Sequence, residues 1–78
     1  MQLQLRYFAS LRDAAGTDAE VVTHEGDAAM LYDQLTARHG FRMPRDRVRL
    51  AVNGSFAAWT QTLCDGDEVV FLPPMSGG

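Results

Sequence analysis

Asp65-Gly66-Asp67-Glu68-Val69-Val70-Phe71-Leu72-Pro73-Pro74-Met75-Ser76-Gly77-Gly78 reads as a turn, a strand and an arm in succession. Asp65-Gly66-Asp67 carries the short acidic residues and the glycine that let a chain reverse. The residues after it are β-branched or aromatic, the composition of a pleated strand. Pro73 and Pro74 end that strand, because proline donates no ladder hydrogen bond and favours the extended polyproline geometry. Within the strand Val69 and Phe71 point to one face, while Glu68, Val70 and Leu72 point to the other. Only one face can lie against a helix. Val70 and Leu72, with Phe56 nearby, are therefore expected as an exposed apolar patch beside the arm, the kind of patch that marks a partner surface.

Beyond the prolines, Gly77 and Gly78 lack Cβ and can approach another surface closely. Residues 73–78, fully extended, span about 20 Å. A compact domain of this length has a radius of gyration of about 11–12 Å. The chain thus divides into a folded body, residues 1–72, and an arm, residues 73–78, whose tip is the unhindered carboxylate of Gly78. That geometry suits a carboxylate presented to the active site of another protein; the alternative is an ordinary frayed end.

Outward from the last strand the elements follow in a simple order. Met1, Leu3, Leu5 and Tyr7 alternate with Gln2, Gln4 and Arg6, the period of a half-buried strand. Residues 11–15 form a short helical or turn segment closed by Gly16, and residues 20–23 return as a second strand in a hairpin with the first. Asp27 is placed to cap the main helix, with Ala28, Leu31, Leu35 and the stem of Arg38 on its inner face. Gly40 ends that helix and Phe41 folds back on it. Val48, Leu50 and Val52 alternate as a third strand, Asn53-Gly54 is a hairpin turn, and a short edge strand follows at Ser55–Ala57. Residues 59–63 cross over to the last strand. The pattern is α+β: one mixed sheet of four to five strands packed on one main helix.

The chain of 78 residues is one small domain with a formal net charge of −3. This charge balance gives no reason to expect nucleic-acid binding, which requires a basic face. Arg42, Arg45, Arg47 and Arg49 cluster, but Asp46 interrupts them and no aromatic platform is evident, so a solvated surface is expected. No apolar run is long enough to cross a bilayer, and the N-terminus alternates where a signal peptide is continuously apolar. Cys64 is the only cysteine, which points to a reducing cytoplasm, and it is expected as a small buried side chain. His24 and His39 offer no metal-ligand spacing, and Asp65, Asp67 and Glu68 read as turn formers and an acidic surface for a basic partner, not a calcium loop. No nucleophile–base pair and no phosphate-binding loop is present, so the body carries no visible active site. The chain has no lysine, a trait of arginine-rich coding that also spares an activated carboxylate from capture by side-chain amines.

Tyr7-Phe8-Ala9-Ser10-Leu11-Arg12-Asp13-Ala14-Ala15-Gly16 is similar to the pattern Phe-Ala-x-x-Arg-Glu-x-x-Gly, with Asp13 in place of glutamate. Ala51-Val52-Asn53, Leu63, Asp65-Gly66-Asp67-Glu68-Val69 and the closing Phe71-Leu72-Pro73-Pro74-Met75-Ser76-Gly77-Gly78 follow in order, with Met75 where valine or isoleucine is usual. Together they resemble the MoaD-type family of ubiquitin-like sulfur carriers, the small subunits of molybdopterin synthase. The resemblance implies a β-grasp fold. It also implies that the Gly78 carboxylate is adenylated by a ubiquitin-activating-like adenylyltransferase using ATP, then thiolated. Its sulfur would go to cyclic pyranopterin monophosphate for the dithiolene of the molybdenum cofactor. The arm (Pro73, Pro74, Met75, Ser76, Gly77, Gly78) would enter the large subunit, which supplies the catalytic side chains, notably lysine, in a heterotetramer. Phe56 and Leu72 would belong to the apolar contact surface, joined by Val70 from the alternation of the last strand, and the chain itself would bind no cofactor or metal. The competing expectations are a ThiS-like carrier for thiazole or another sulfur-containing product, a ubiquitin-like modifier joined to lysines, and an adaptor whose tail is idle.

Overall fold

Leu3, Leu5 and Tyr7 alternate with Gln2, Gln4 and Arg6, and in the computed structural model, which describes residues 1–74, the first three are fully buried on one face of strand β1, Gln2–Tyr7. A short helix α1, Ala9–Ala15, ends at Gly16 in the left-handed region, and β2, Ala19–Thr23, returns antiparallel to β1 with Leu3 opposite Val22. Helix α2, Ala28–His39, follows, then a 3-10 turn at Arg45–Arg47, β3 at Arg49–Val52, β4 at Ser55–Ala57 and β5 at Glu68–Leu72. The sheet order is β2-β1-β5-β3-β4. β5 lies parallel to β1 and antiparallel to β3, so the first and last strands sit side by side in the middle of the sheet. The sequence of elements is that of the β-grasp, or ubiquitin-like, fold. The Cα radius of gyration is 11.4 Å, within the range expected for the length.

Local sequence accounts for the ends of α2. The Asp27 carboxylate accepts from the Met30 N–H at 2.9 Å, satisfying one of the free amides of the first turn. Gly40 closes the helix with φ 73° and donates its N–H to Thr36 at 2.8 Å. Phe41 then folds back into the core as expected. The buried face of α2 is Ala28, Leu31, Tyr32 and Leu35. Tyr32 takes the place expected for the stem of Arg38: its ring packs against Phe41, Trp59 and Phe71 while its hydroxyl donates to the Met43 carbonyl at 2.6 Å. Burial pushes that phenol up to about 12. Arg38 turns outward instead, to Glu20.

The β3–β4 hairpin and the entry to β5 are locked together. Asn53 sits at φ 52°, a conformation asparagine tolerates, and Gly54 follows at φ 86°. The Asn53 side chain donates to Asp67 at 2.8 Å and accepts from the Glu68 N–H at 3.0 Å. The other oxygen of Asp67 accepts from the Cys64 N–H at 2.8 Å. Asp67 is thereby a turn clasp, and the residue beside it is not the buried cysteine expected from the sequence. Cys64 is exposed. Leu63 occupies the inward position at this point, and the tight turn over residues 64–67 carries the next side chain to the surface.

Candidate functional site

The face of the sheet turned away from α2 is built by the register of three strands. Val70 of β5 is paired with Ala51 of β3, and Ala51 with Phe56 of β4. Leu72, at the end of β5, is paired with Arg49. Val70 and Leu72 are half-buried among their neighbours, and Phe56 is 67% exposed. Of the apolar patch expected from β5 alternation, Phe56 is exposed, whereas Val70 and Leu72 lie on the expected face but are only partly open, and among the described residues no loop covers Phe56. Pro73 and Pro74 continue from Leu72 along the rim of an open recess of about 370 Å³, completed by Arg47, Arg49 and Phe56. Met75, Ser76, Gly77 and Gly78, the arm residues singled out above, lie outside the described residues.

One feature of this site escaped the sequence reading. The Arg49 guanidinium lies over the Phe56 ring, 5.3 Å from its centroid, so the arginine cluster does have an aromatic partner. The signal was the β3–β4 hairpin itself: with Asn53-Gly54 at its tip, Ala51 and Phe56 pair, and Arg49 falls diagonal to Phe56 on the same face. Further along the same face Arg6 reaches Glu68 at 3.6 Å.

The strongest polar cluster lies elsewhere and is structural. Glu20 of β2 accepts from the Tyr7 hydroxyl at 2.7 Å and pairs with His39 at 2.8 Å and Arg38 at 3.3 Å, tying the sheet edge to the C-terminal end of α2. Burial raises the Glu20 carboxyl, but the hydrogen bonds from Tyr7 and His39 and the charges of His39 and Arg38 outweigh it, leaving it below the usual carboxylate value. Burial, then the bond to Glu20, pushes the Tyr7 phenol up. A carboxyl held lower in the folded state stabilises above its ordinary value of 4.5, and that stabilisation is lost as pH falls through the folded value. Glu20→Gln is therefore expected to cost about 1–2 kcal/mol at neutral pH and much less near pH 3, read by urea unfolding at both. An equal cost at the two pH values would show that the charge is irrelevant.

Residues 5–78 match the model of the ThiS family. The molybdopterin synthase sulfur carrier subunit of Mycobacterium tuberculosis is 35% identical over 82 residues, covering 100% of this chain and 99% of that protein. Its namesake in Escherichia coli is 32% identical over 80 residues, covering 97% and 99%. The small archaeal modifier protein 1 of Haloferax volcanii is 30% identical over 87 residues, covering 97% of this chain and all of that protein. A crystal structure of SAMP1 from Haloferax volcanii superposes with a TM-score of 0.83 at 28% identity, each chain covered in full.

Proposed function

The chain belongs to the ThiS/MoaD family of ubiquitin-like β-grasp proteins, and from that membership we propose that it is the sulfur-carrier subunit of a molybdopterin synthase. The observation that carries this reading is likeness over almost the whole chain to two such subunits, 35% identical over 100% of it and 32% identical over 97% of it. The Gly78 carboxylate attacks the α-phosphorus of ATP on an adenylyltransferase and releases pyrophosphate. A sulfur donor then displaces AMP from the acyl carbon, leaving a thiocarboxylate. The arm carries that sulfur into the large subunit, whose side chains transfer it to cyclic pyranopterin monophosphate, in the cytoplasm. The body needs no cofactor or catalytic group; its task is to hold the arm and present the patch at its root. Tethering replaces a bimolecular encounter with sulfide by delivery within a complex, which is where the rate advantage arises.

Phe56, Val70, Leu72, Pro73 and Pro74 are proposed as the partner contact, with Met75 and Ser76 lining the passage and Gly77 and Gly78 slim enough for it. Leu72→Asp is expected to weaken binding to the large subunit by about thirtyfold or more, the size of an interface hot spot. Stability should change by less than about 1 kcal/mol, because Leu72 faces away from the core. Collapse of the fold would make Leu72 a core residue instead.

Intact mass spectrometry after incubation with the adenylyltransferase, ATP and a sulfide donor tests the chemistry. Exchange of one oxygen for sulfur on the C-terminal peptide is the expected result. A second reading, a protein modifier, draws on the likeness to the Haloferax volcanii modifier. It requires amide adducts between Gly78 and lysines of other proteins in lysate supplied with ATP, and a free thiocarboxylate without adducts rejects it.

A further inference from the structure

Arg49 and Phe56 reach the outer face as one unit. The guanidinium is parked over the ring at 5.3 Å, and Arg47 stands beside it on the wall of the same recess. Among the described residues neither side chain has an ion pair or a side-chain hydrogen bond, whereas Arg6, Arg38 and Arg45 all have carboxylate partners, Glu68, Glu20 and Asp33. The recess wall of Arg47, Arg49, Phe56, Leu72, Pro73 and Pro74 contains no acidic residue, although the chain as a whole carries a net charge of −3. The acidic residues near β5 sit at its opposite end: Asp67 is bonded to Asn53 and Cys64, and Glu68 is paired with Arg6.

The coupling of ring and guanidinium restricts what can cover this face. A surface that takes Phe56 and Leu72 out of water also takes Arg49 out of water. A guanidinium cannot shed its charge, and its five donors must then find acceptors. A purely apolar partner is thus penalised at this corner, and a carboxylate there is rewarded with a fork-shaped, charge-assisted pair. We infer that the surface meeting the root of the arm is an apolar pocket edged by at least one aspartate or glutamate, which engages Arg49 with Arg47 in support. The occupant is the large subunit, and the inference rests on the sulfur-carrier reading; it adds the partner's charge and the residue that reads it. Phosphates are a poorer match, since two arginines in an acidic protein release few counterions.

Affinity for the purified large subunit, measured at low and high salt, tests this with Arg49→Glu, Arg49→Lys and, as a control away from the recess, Arg42→Glu. Arg49→Glu should weaken binding at least tenfold and flatten its salt dependence. Arg49→Lys should lose less, and Arg42→Glu should stay within twofold. All are surface changes, and an unaltered melting temperature checks that the fold is kept. Wild-type binding with Arg49→Glu within twofold of it would overturn this inference alone. A wild type that binds no large subunit overturns the carrier reading as well. Binding of wild type, but not Arg49→Glu, to single-stranded DNA at physiological salt would assign the arginines to phosphates and also overturn it.

Discussion

A chain bearing one tryptophan after Gly78 is expected to fold and melt like the wild type and to form no thiocarboxylate. The addition lies beyond residues 1–74, which contain every buried side chain described above, so the core has nothing to lose. Under the proposed sulfur-carrier function, what changes is the reacting group. The carboxylate moves one residue outward, and an indole now fills the passage that two residues without Cβ would thread. Misplacing a tethered reactant forfeits the effective molarity that the tether supplies, a loss of about three orders of magnitude or more in sulfur transfer. Gly77→Trp, which leaves the carboxylate in place and blocks only the passage, should give a comparable loss at the large subunit. Normal loading and transfer by either variant, measured by mass of the C-terminal peptide and by molybdopterin formed, would refute the threading picture.

Phe71→Ala is expected to have the largest effect on stability. Phe71 is fully buried beneath α2, stacked on Tyr7 at 6.2 Å and on Trp59 at 6.1 Å, and edge-on to Tyr32 at 5.4 Å. It sits in the central strand, between Tyr7 of β1 and Leu50 of β3. Removing a buried phenyl costs about 3–5 kcal/mol, through lost transfer energy and the cavity left behind. Small domains have about 5–15 kcal/mol in all, so the variant should be largely unfolded at modest urea concentrations. A loss under about 1 kcal/mol would mean that the aromatic cluster is not the keystone it looks to be. The contrast with Leu72→Asp is instructive: two adjacent residues of one strand, pointing to opposite faces, should fail in opposite ways, one in folding and the other in binding.

Much of this was legible before any fold was known. The alternation in β5 separated Val69 and Phe71 from Val70 and Leu72, and the structure keeps that division. Asp27, Gly40 and Asn53-Gly54 announced a cap, a stop and a turn, each through chemistry confined to a few neighbouring residues. Cys64 departs from the expected burial because cysteine is among the residue types most often buried, whereas here Leu63 takes the inward position and the Asp67 clasp holds the turn that carries the next residue out. Tyr32 is not legible as core in the sequence, because a tyrosine suits a surface as well as a core. Only the Met43 carbonyl, which accepts from its hydroxyl, makes full burial of the ring affordable.

By itself the sequence determined the order of the strands and the main helix, the turns that separate them, which face of the first and last strands is apolar, and that Pro73-Pro74 follow directly from the last strand; the first turn of α1 and the 3-10 turn at Arg45–Arg47 it did not. Those properties depend on side-chain period and on φ preferences within a few residues. Tertiary structure alone decided that β5 pairs parallel with β1, that Glu20 collects Tyr7, Arg38 and His39, and that Arg49 rests on Phe56 beside the root of the arm. Each of these joins groups that no local pattern relates, so they exist only once the sheet has closed and its register has brought distant residues onto one face.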